Sequence, residues 1–171
     1  MARELFVLRH AKSSWDDPGL VDHDRPLAPR GRRAAKLLAA HLRSTGIHPE
    51  QVLCSTALRT RETLAAVDPG GEALIEPNLY SADEDELLLR LRRVPDTTGS
   101  VMVIGHNPAV QMLVLALVGS QGHRGSIPGL RQLEHKFPTA ALATLKFSCE
   151  WSQLAPGSAR LVAFVRPKDL E

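Results

Sequence analysis

The chain has 171 residues, 43% of them hydrophobic and 23% charged, and its formal net charge is +2. These values are ordinary for a globular protein, fit one domain over residues 1–171, and give no reason to expect nucleic acid as a partner. The longest apolar run, Met112 to Val118, is too short to span a bilayer, and no signal-peptide pattern opens the chain. Cys54 and Cys149 show no metal or redox spacing. We therefore expect a cytoplasmic protein without a membrane partner.

The first predicted element is a buried strand, the apolar run from Glu4 to Leu8, which is followed by Arg9 and His10. Open α/β sheets bind ligands at the carboxyl ends of their strands. A neutral imidazole can attack phosphorus, and a permanently charged guanidinium can hold phosphate oxygens. A lone histidine beside a strand is more often structural than catalytic, so this interpretation depends on what the other strands contribute.

A polar loop from Asp16 to Pro29 leads into a helix that Pro29 and Gly46 bracket. One face of this helix is apolar, with Ala34, Ala35, Leu38 and Leu42. The opposite face has no acidic residue between positions 30 and 45, and it carries Arg30, Arg32, Arg33, Lys36 and Arg43. Such a basic face is usually solvated, and otherwise it is a docking surface for an acidic partner.

A second strand, Gln51 to Cys54, is followed by Ser55 or Thr56 as the predicted cap of a helix that carries Arg59 near its first turn. The helix N-terminus and Arg59 would both favour an anion. A third strand, Val101 to Ile104, ends at Gly105 and His106. Three strands thus deliver two arginines and two histidines to one rim, which predicts a pocket for phosphoryl transfer.

The remaining elements complete an α/β pattern with helices on both faces of a sheet. We expect a short strand at Ala73 to Ile75 and a helix that begins at the acidic cluster Asp83 to Glu86 and buries Leu87, Leu88 and Leu91. A further helix should run from Pro108, at its first position, to Leu117. Gly119 to Pro138 is expected to be a loop. The closing strands should lie at Ala141 to Phe147 and at Ala159 to Val165.

These motifs resemble those of the histidine phosphatase (phosphoglycerate mutase-like) superfamily, most closely its small SixA-type phosphohistidine phosphatases. The resemblance covers roughly the first two thirds of the chain and matches Arg9-His10, Ser13 to Trp15, Asp24 to Leu27, Arg30-Gly31, Ser55 to Thr63 and Gly105-His106. It implies a three-layer αβα fold with a mostly parallel central sheet and an antiparallel edge. The chain departs from the family pattern at Ala11, where a glycine is usual, and near Leu79-Tyr80, where Pro77-Asn78 supplies no catalytic acid.

The resemblance and the chemistry together predict four catalytic residues. His10 would be the nucleophile that forms a covalent phosphohistidine, and Arg9, Arg59 and His106 would bind the phosphoryl oxygens. Arg59 could instead pair with Glu62 on its own helix, and Arg61 is expected to face solvent. Five other histidines are expected at the surface: His23, His41, His48, His123 and His135.

Two assignments stay open at this stage. Ser13 either binds phosphate or bonds local backbone. A leaving alkoxide would need a proton donor, for which Asp16, Asp24 and the cluster from Asp83 to Glu86 are equivalent candidates. A rival interpretation makes His10, His106 and nearby aspartates metal ligands, but two arginines would crowd such an ion with positive charge. We expect neither a metal nor another cofactor.

Three classes of function are compatible with these residues. The preferred one is a phosphatase acting on phosphohistidine in proteins, and the alternative is a phosphomonoesterase acting on a small phosphorylated metabolite. A non-enzymatic phosphate-binding module is disfavoured because all four core residues are present. Mutase activity is disfavoured because little chain between Thr63 and Val101 is left to form a lid. The same shortness predicts an open, shallow pocket, unless Gly119 to Pro138 covers it.

Overall fold

A six-stranded sheet forms the centre of the computed structural model, which describes residues 2–120 and 127–171. The strand order is β3-β2-β4-β1-β5-β6. Strands β1, β2, β3 and β4 are parallel, whereas β5 is antiparallel to β1 and β6 is antiparallel to β5. The predicted mostly parallel sheet with an antiparallel edge is therefore confirmed. The strands are β1 Arg3–Arg9, β2 Gln51–Ser55, β3 Glu72–Glu76, β4 Ser100–Gly105, β5 Leu142–Phe147 and β6 Arg160–Val165.

Helices cover both faces of the sheet, as the alternating pattern predicts. They are α1 Pro29–Thr45, α2 Leu58–Val67, α3 Glu84–Arg92, α4 Ala109–Val118 and α5 Leu130–His135. The side chains of β1 alternate between two cores. Phe6 and Leu8 pack with α1 and α2, while Leu5 and Val7 pack with α3, α4 and α5. The core strands are buried on both faces, which explains their continuous apolar sequences.

The amino terminus of α1 packs tightly against the loop that follows His10. Gly31 is buried there, and a Cβ atom at this position would lie 2.1 Å from the carbonyl oxygen of Lys12. The Ala28 amide donates to the same oxygen at 2.9 Å. Because no side chain fits between the two segments, only a glycine at position 31 lets α1 pack this closely against the loop after His10.

Two predicted helix starts are wrong by one or two residues. The cap of α2 is Ala57 rather than Ser55 or Thr56, because Ser55 is still the last residue of β2. Pro108 occupies the cap position of α4 instead of its first helical position, and its carbonyl already accepts from the Met112 amide at 3.0 Å. The predicted limits of α1 are confirmed, because the helix begins at Pro29 and Gly46 is its C-cap. The predicted start of α3 is also confirmed, since Asp83 is its N-cap and accepts from the Glu86 amide at 2.8 Å.

The segment from Gly119 to Pro138 is not only a loop, because it contains α5. Leu130 and Leu133 are fully buried and hold this short helix against the core. Residues 121–126 of the segment, which include His123, lie outside the described residues. No helix in the described ranges is long and apolar enough to cross a membrane.

Candidate active site

Three neighbouring strands bring the predicted site residues to one end of the sheet. Strand β1 lies between β4 and β5, with Arg9 opposite Gly105, and β2 pairs with the other side of β4. His10 and His106 directly follow β1 and β4, and the centroids of their rings are 5.3 Å apart. Arg59 lies in the first turn of α2, the helix that follows β2. The structure therefore brings the four predicted residues, Arg9, His10, Arg59 and His106, to the same end of the sheet.

His10 is buried, and its ring is held in one tautomer. Nδ1 lies 2.7 Å from the carbonyl oxygen of Ala11, and since a carbonyl only accepts, Nδ1 carries the proton. Burial lowers the pKa of His10 to about 3, and the nearby positive groups of His106, Arg59 and Arg9 lower it further, against the opposite effect of the Ala11 bond. Nε2 of His10 therefore keeps its lone pair at neutral pH.

Two contacts from other elements position the His10 backbone. Its amide donates to the carbonyl of Gly105 at 3.1 Å, across the β1–β4 pair. The next amide, of Ala11, donates to Oγ1 of Thr63 at 2.9 Å, and that hydroxyl donates onward to the carbonyl of Arg59 at 2.7 Å. The nucleophile segment and the helix that carries Arg59 are thus joined directly.

His106 has one ring nitrogen engaged and one without a partner. Nε2 lies 2.8 Å from Oγ of the fully buried Ser55, whereas Nδ1 is buried and has no hydrogen-bond partner within the described part of the chain. Burial lowers the pKa of His106 to about 4, and the charge of Arg59 acts in the same direction. If Nε2 accepts the Ser55 proton, Nδ1 carries a hydrogen that is available to an anion.

The two arginines also have unpaired donors. Arg9 donates from Nη1 to the carbonyl of Phe137 at 2.9 Å. Arg59 donates from Nη1 to the carbonyl of Asp22 at 2.8 Å and from Nη2 to its carboxylate at 3.0 Å. In the part of the chain that the structure covers, the buried Nε atom of each arginine lacks an acceptor. Burial and the charge of Arg59 lower the pKa of Arg9. A bound oxyanion would satisfy these donors and offset the positive charge.

Asp22 is a residue that the sequence reasoning missed. Its carboxylate accepts from Tyr80 at 2.5 Å, from Arg59 at 3.0 Å and from Arg25 at 3.1 Å. The Tyr80 hydrogen bond, followed by those of the two arginines, holds the pKa of Asp22 well below its usual range. The same contact raises the pKa of Tyr80. Asp22 therefore stays ionised and offers Arg59 the pairing that a phosphate would offer.

Comparisons with known proteins agree with this geometry. Residues 5–81 match the family model of the histidine phosphatase superfamily, branch 1. A protein of Mycobacterium tuberculosis is 38% identical over 161 residues, which is 94% of this chain and 100% of that protein. The phosphohistidine phosphatase SixA of Escherichia coli K12 is 30% identical over 120 residues, covering 67% of this chain and 73% of SixA. The chain belongs to the histidine phosphatase superfamily.

Solved structures extend the similarity to the whole fold. A SixA protein from Nakamurella multipartitia superposes with a TM-score of 0.87 at 32% identity, covering 98% of this chain and 97% of that one. The protein histidine phosphatase SixA complexed with tungstate gives a TM-score of 0.77 at 26% identity, with 98% and 99% covered. This member of the histidine phosphatase superfamily is a phosphatase with a SixA-like fold.

Ser13 and Glu62 are both engaged in structural contacts. Oγ of Ser13 is buried and accepts from Nη1 of Arg25 at 2.7 Å, so its predicted contact with phosphate stays a prediction. Glu62 does not pair with Arg59; it accepts from the Leu27 amide at 2.8 Å. Arg61 is exposed, as predicted, and donates to the carbonyl of Thr56 at 2.9 Å.

The structure gives the proton-donor candidates other surroundings or roles. Asp16 is exposed, Asp24 lies 3.4 Å from Nδ1 of His23, and Asp83 caps α3. His23 was expected at the surface, but it is only partly exposed, because Nε2 lies 2.9 Å from Oγ1 of Thr56 and its ring packs edge-on against Tyr80. Asp22 and His23 directly precede the family motif at Asp24 to Leu27, which contains Arg25, and this position in the chain was the available signal.

The metal interpretation has no cluster to support it in the described ranges. Among residues 2–120 and 127–171, no group of three or more His, Cys, Asp or Glu side chains is arranged to hold an ion. His10 and His106 instead lie near the charges of Arg9 and Arg59, which add to the effect of burial in lowering the pKa of His10. Cys54 and Cys149 are free thiols.

Proposed function

We propose that this enzyme is a cytoplasmic phosphatase that removes the phosphoryl group from phosphohistidine in proteins. The observation that carries the proposal is the state of His10. Its Nδ1 carries a proton and donates it in a hydrogen bond to the Ala11 carbonyl. The low pKa of the ring leaves Nε2 unprotonated and nucleophilic at neutral pH. The free donors of Arg9, Arg59 and His106 supply the charge stabilisation that a metal ion provides in other phosphoryl-transfer enzymes.

The reaction would take two displacement steps at phosphorus. In the first, the lone pair of Nε2 of His10 forms a bond to phosphorus while the P–N bond of the substrate breaks and its electron pair returns to the substrate imidazole. With its other nitrogen protonated, that imidazole leaves as a neutral ring. In the second step, water attacks phospho-His10, the new P–N bond breaks, and inorganic phosphate leaves.

The charge state of Asp22 favours this leaving group. An alkoxide must be protonated as it leaves, because an alcohol is a far weaker acid than an imidazolium, whose pKa is about 6.5. Asp22 is the carboxylate that contacts Arg59, and its hydrogen bonds from Tyr80 and the arginines keep it deprotonated. A site with an ionised carboxylate suits a P–N bond better than a phosphate ester.

The second candidate is a phosphomonoesterase acting on a small phosphorylated metabolite, and one observation favours it. The Tyr80 hydroxyl contacts Asp22 beside Arg59, and its raised pKa keeps it protonated. A protonated phenol at this place is a possible acid for an alkoxide. Its role can be separated from that of the nucleophile by mutation.

A substrate panel with a matched variant tests the proposal. We expect kcat/KM to be highest for a phosphohistidine protein, lower for phosphoserine peptides and lowest for sugar phosphates. Tyr80→Phe should leave turnover of phosphohistidine largely unchanged, because the hydrogen bonds from Arg59 and Arg25 still keep Asp22 ionised. A sugar phosphate that is hydrolysed much faster than phosphohistidine, together with its selective loss in Tyr80→Phe, would make the metabolite phosphatase the correct answer.

A further inference from the structure

A strongly basic groove lies beside the catalytic residues and is not used by the proposed reaction. Its volume is about 820 Å³, and α1, α5 and the segment after β6 form its walls. Its apolar floor includes Ala34, Leu37 and Pro138. The cations that matter to the argument are Lys12, Arg30, Arg33, Arg131, Lys136 and Lys168.

The topology places this groove at the same end of the sheet as His10. Helix α1 follows β1 and therefore begins near its carboxyl end, where Lys12 is two residues from the nucleophile. Strand β6 runs in the direction of β1, so its carboxyl end, and Lys168 beyond it, lie at that end as well. Lys136 precedes a turn whose Ala140 amide donates to the carbonyls of Arg9 and His10 at 3.0 and 3.1 Å.

The positive charge of the groove is largely uncompensated. Arg166 also lines it, but this arginine is paired with Asp169 at 2.9 Å. The six cations named above take part in no ion pair within the ranges 2–120 and 127–171. Glu171 is the acidic side chain of the wall. Since the whole chain carries a net charge of only +2, this concentration of cations is local to the groove.

We propose that the groove docks an acidic segment of the phosphorylated protein, next to the phosphohistidine that enters the active site. This inference rests on the proposed function and names a feature of its substrate. Charge complementarity identifies the partner as acidic. The apolar floor at Leu37 and Pro138 suits the side chains of a polypeptide, and the small net charge of the chain argues against a nucleic acid.

A charge-reversal variant and a matched control test the groove. The double variant Arg33→Glu/Lys136→Glu changes two walls of the groove, and Lys36→Glu/Arg43→Glu makes the same charge change on exposed parts of α1 outside it. The substrates are a pair of phosphohistidine peptides flanked either by Glu or by Gln, together with free phosphohistidine. Electrostatic steering changes association rates by about tenfold to a thousandfold, so we expect at least a tenfold loss of kcat/KM for the Glu peptide.

The other arms of this experiment separate the possible failures. With the groove variant, kcat/KM for the Gln peptide and for free phosphohistidine should change less than about twofold, and the control should behave like the wild type. Equal losses on all three substrates, or an equal loss in the control, would overturn the docking proposal. If wild-type enzyme hydrolyses none of them, the proposed function fails instead.

If the enzyme hydrolyses none of these substrates, peptide binding to the groove can still be measured without turnover. Fluorescence anisotropy of the unphosphorylated Glu peptide with the His10→Ala protein should show binding that weakens about tenfold in the groove variant and with rising salt. Absence of such binding would overturn the proposal. A single-stranded oligonucleotide that binds the groove more tightly than the Glu peptide would also overturn it, in favour of a nucleic acid.

Discussion

Lowering the pH from 7 to 5 should leave His10 neutral. The pKa of His10 in the folded protein is about 3, because the ring is buried and faces the positive groups of His106, Arg59 and Arg9. At pH 5 a group with this pKa is about 1% protonated, whereas an ordinary imidazole with a pKa of about 6.5 would be about 97% protonated. Protonation removes the nucleophile, so this change of pH would reduce phosphorylation of an unshifted histidine by about twenty-fivefold, and that of His10 hardly at all.

The ¹⁵N spectrum of the imidazole rings measures this difference directly. In ¹⁵N-histidine-labelled protein, His10 should show the neutral Nδ1–H tautomer at pH 5, because Nδ1 donates to the Ala11 carbonyl. His106, with a pKa of about 4, should also be mostly neutral. The His10→Ala variant assigns the signal, and an unstructured histidine peptide in the same buffer calibrates the shifts. A His10 signal that titrates near pH 6.5 would refute the reasoning about burial and charge.

Further predictions concern Arg59, the α1 contact and metal. Arg59→Ala should lower kcat/KM at least about thirtyfold, or about 2 kcal/mol, because an oxyanion loses its paired donors. Arg59→Lys should recover little and Arg61→Ala should be nearly silent; equal damage at both positions would place the phosphate contact elsewhere. Gly31→Ala should lower stability by about 2 kcal/mol or more, measured by urea unfolding, because its Cβ would collide with the Lys12 carbonyl, whereas Gly19→Ala should have little effect. Turnover should survive exhaustive chelation, and a loss that zinc restores would revive the metal interpretation.

The sequence predicts the strands and the catalytic cluster well because both depend on local signals. The apolar runs of β1, β2 and β4 are buried on two faces, so their hydrophobicity is continuous and easy to read. His10 and His106 directly follow two of these runs. Neighbouring parallel strands end at the same edge of a sheet. A histidine directly after each of two such strands is therefore predicted to lie near the other, and the two rings do.

The interactions of Asp22 could not be predicted in the same way. Its partners Arg59 and Tyr80 are 37 and 58 residues away in the chain, so only the tertiary fold brings them together. The start of α2 is misplaced for a related reason, since Oγ of Ser55 bonds His106 from the neighbouring strand instead of serving as the helix cap. Helix α5 has only six residues, too few for a clear helical period.

The most direct test of the central claim is the capture of a phosphorylated enzyme. Protein mixed briefly with phosphohistidine substrate, denatured in alkali and digested should yield a peptide that carries an acid-labile phosphoryl group on His10, identified by mass spectrometry. The His10→Ala protein, prepared in parallel, should yield no such peptide. Phosphorylation that persists in His10→Ala, or rapid turnover with no trapped group on His10, would contradict the account.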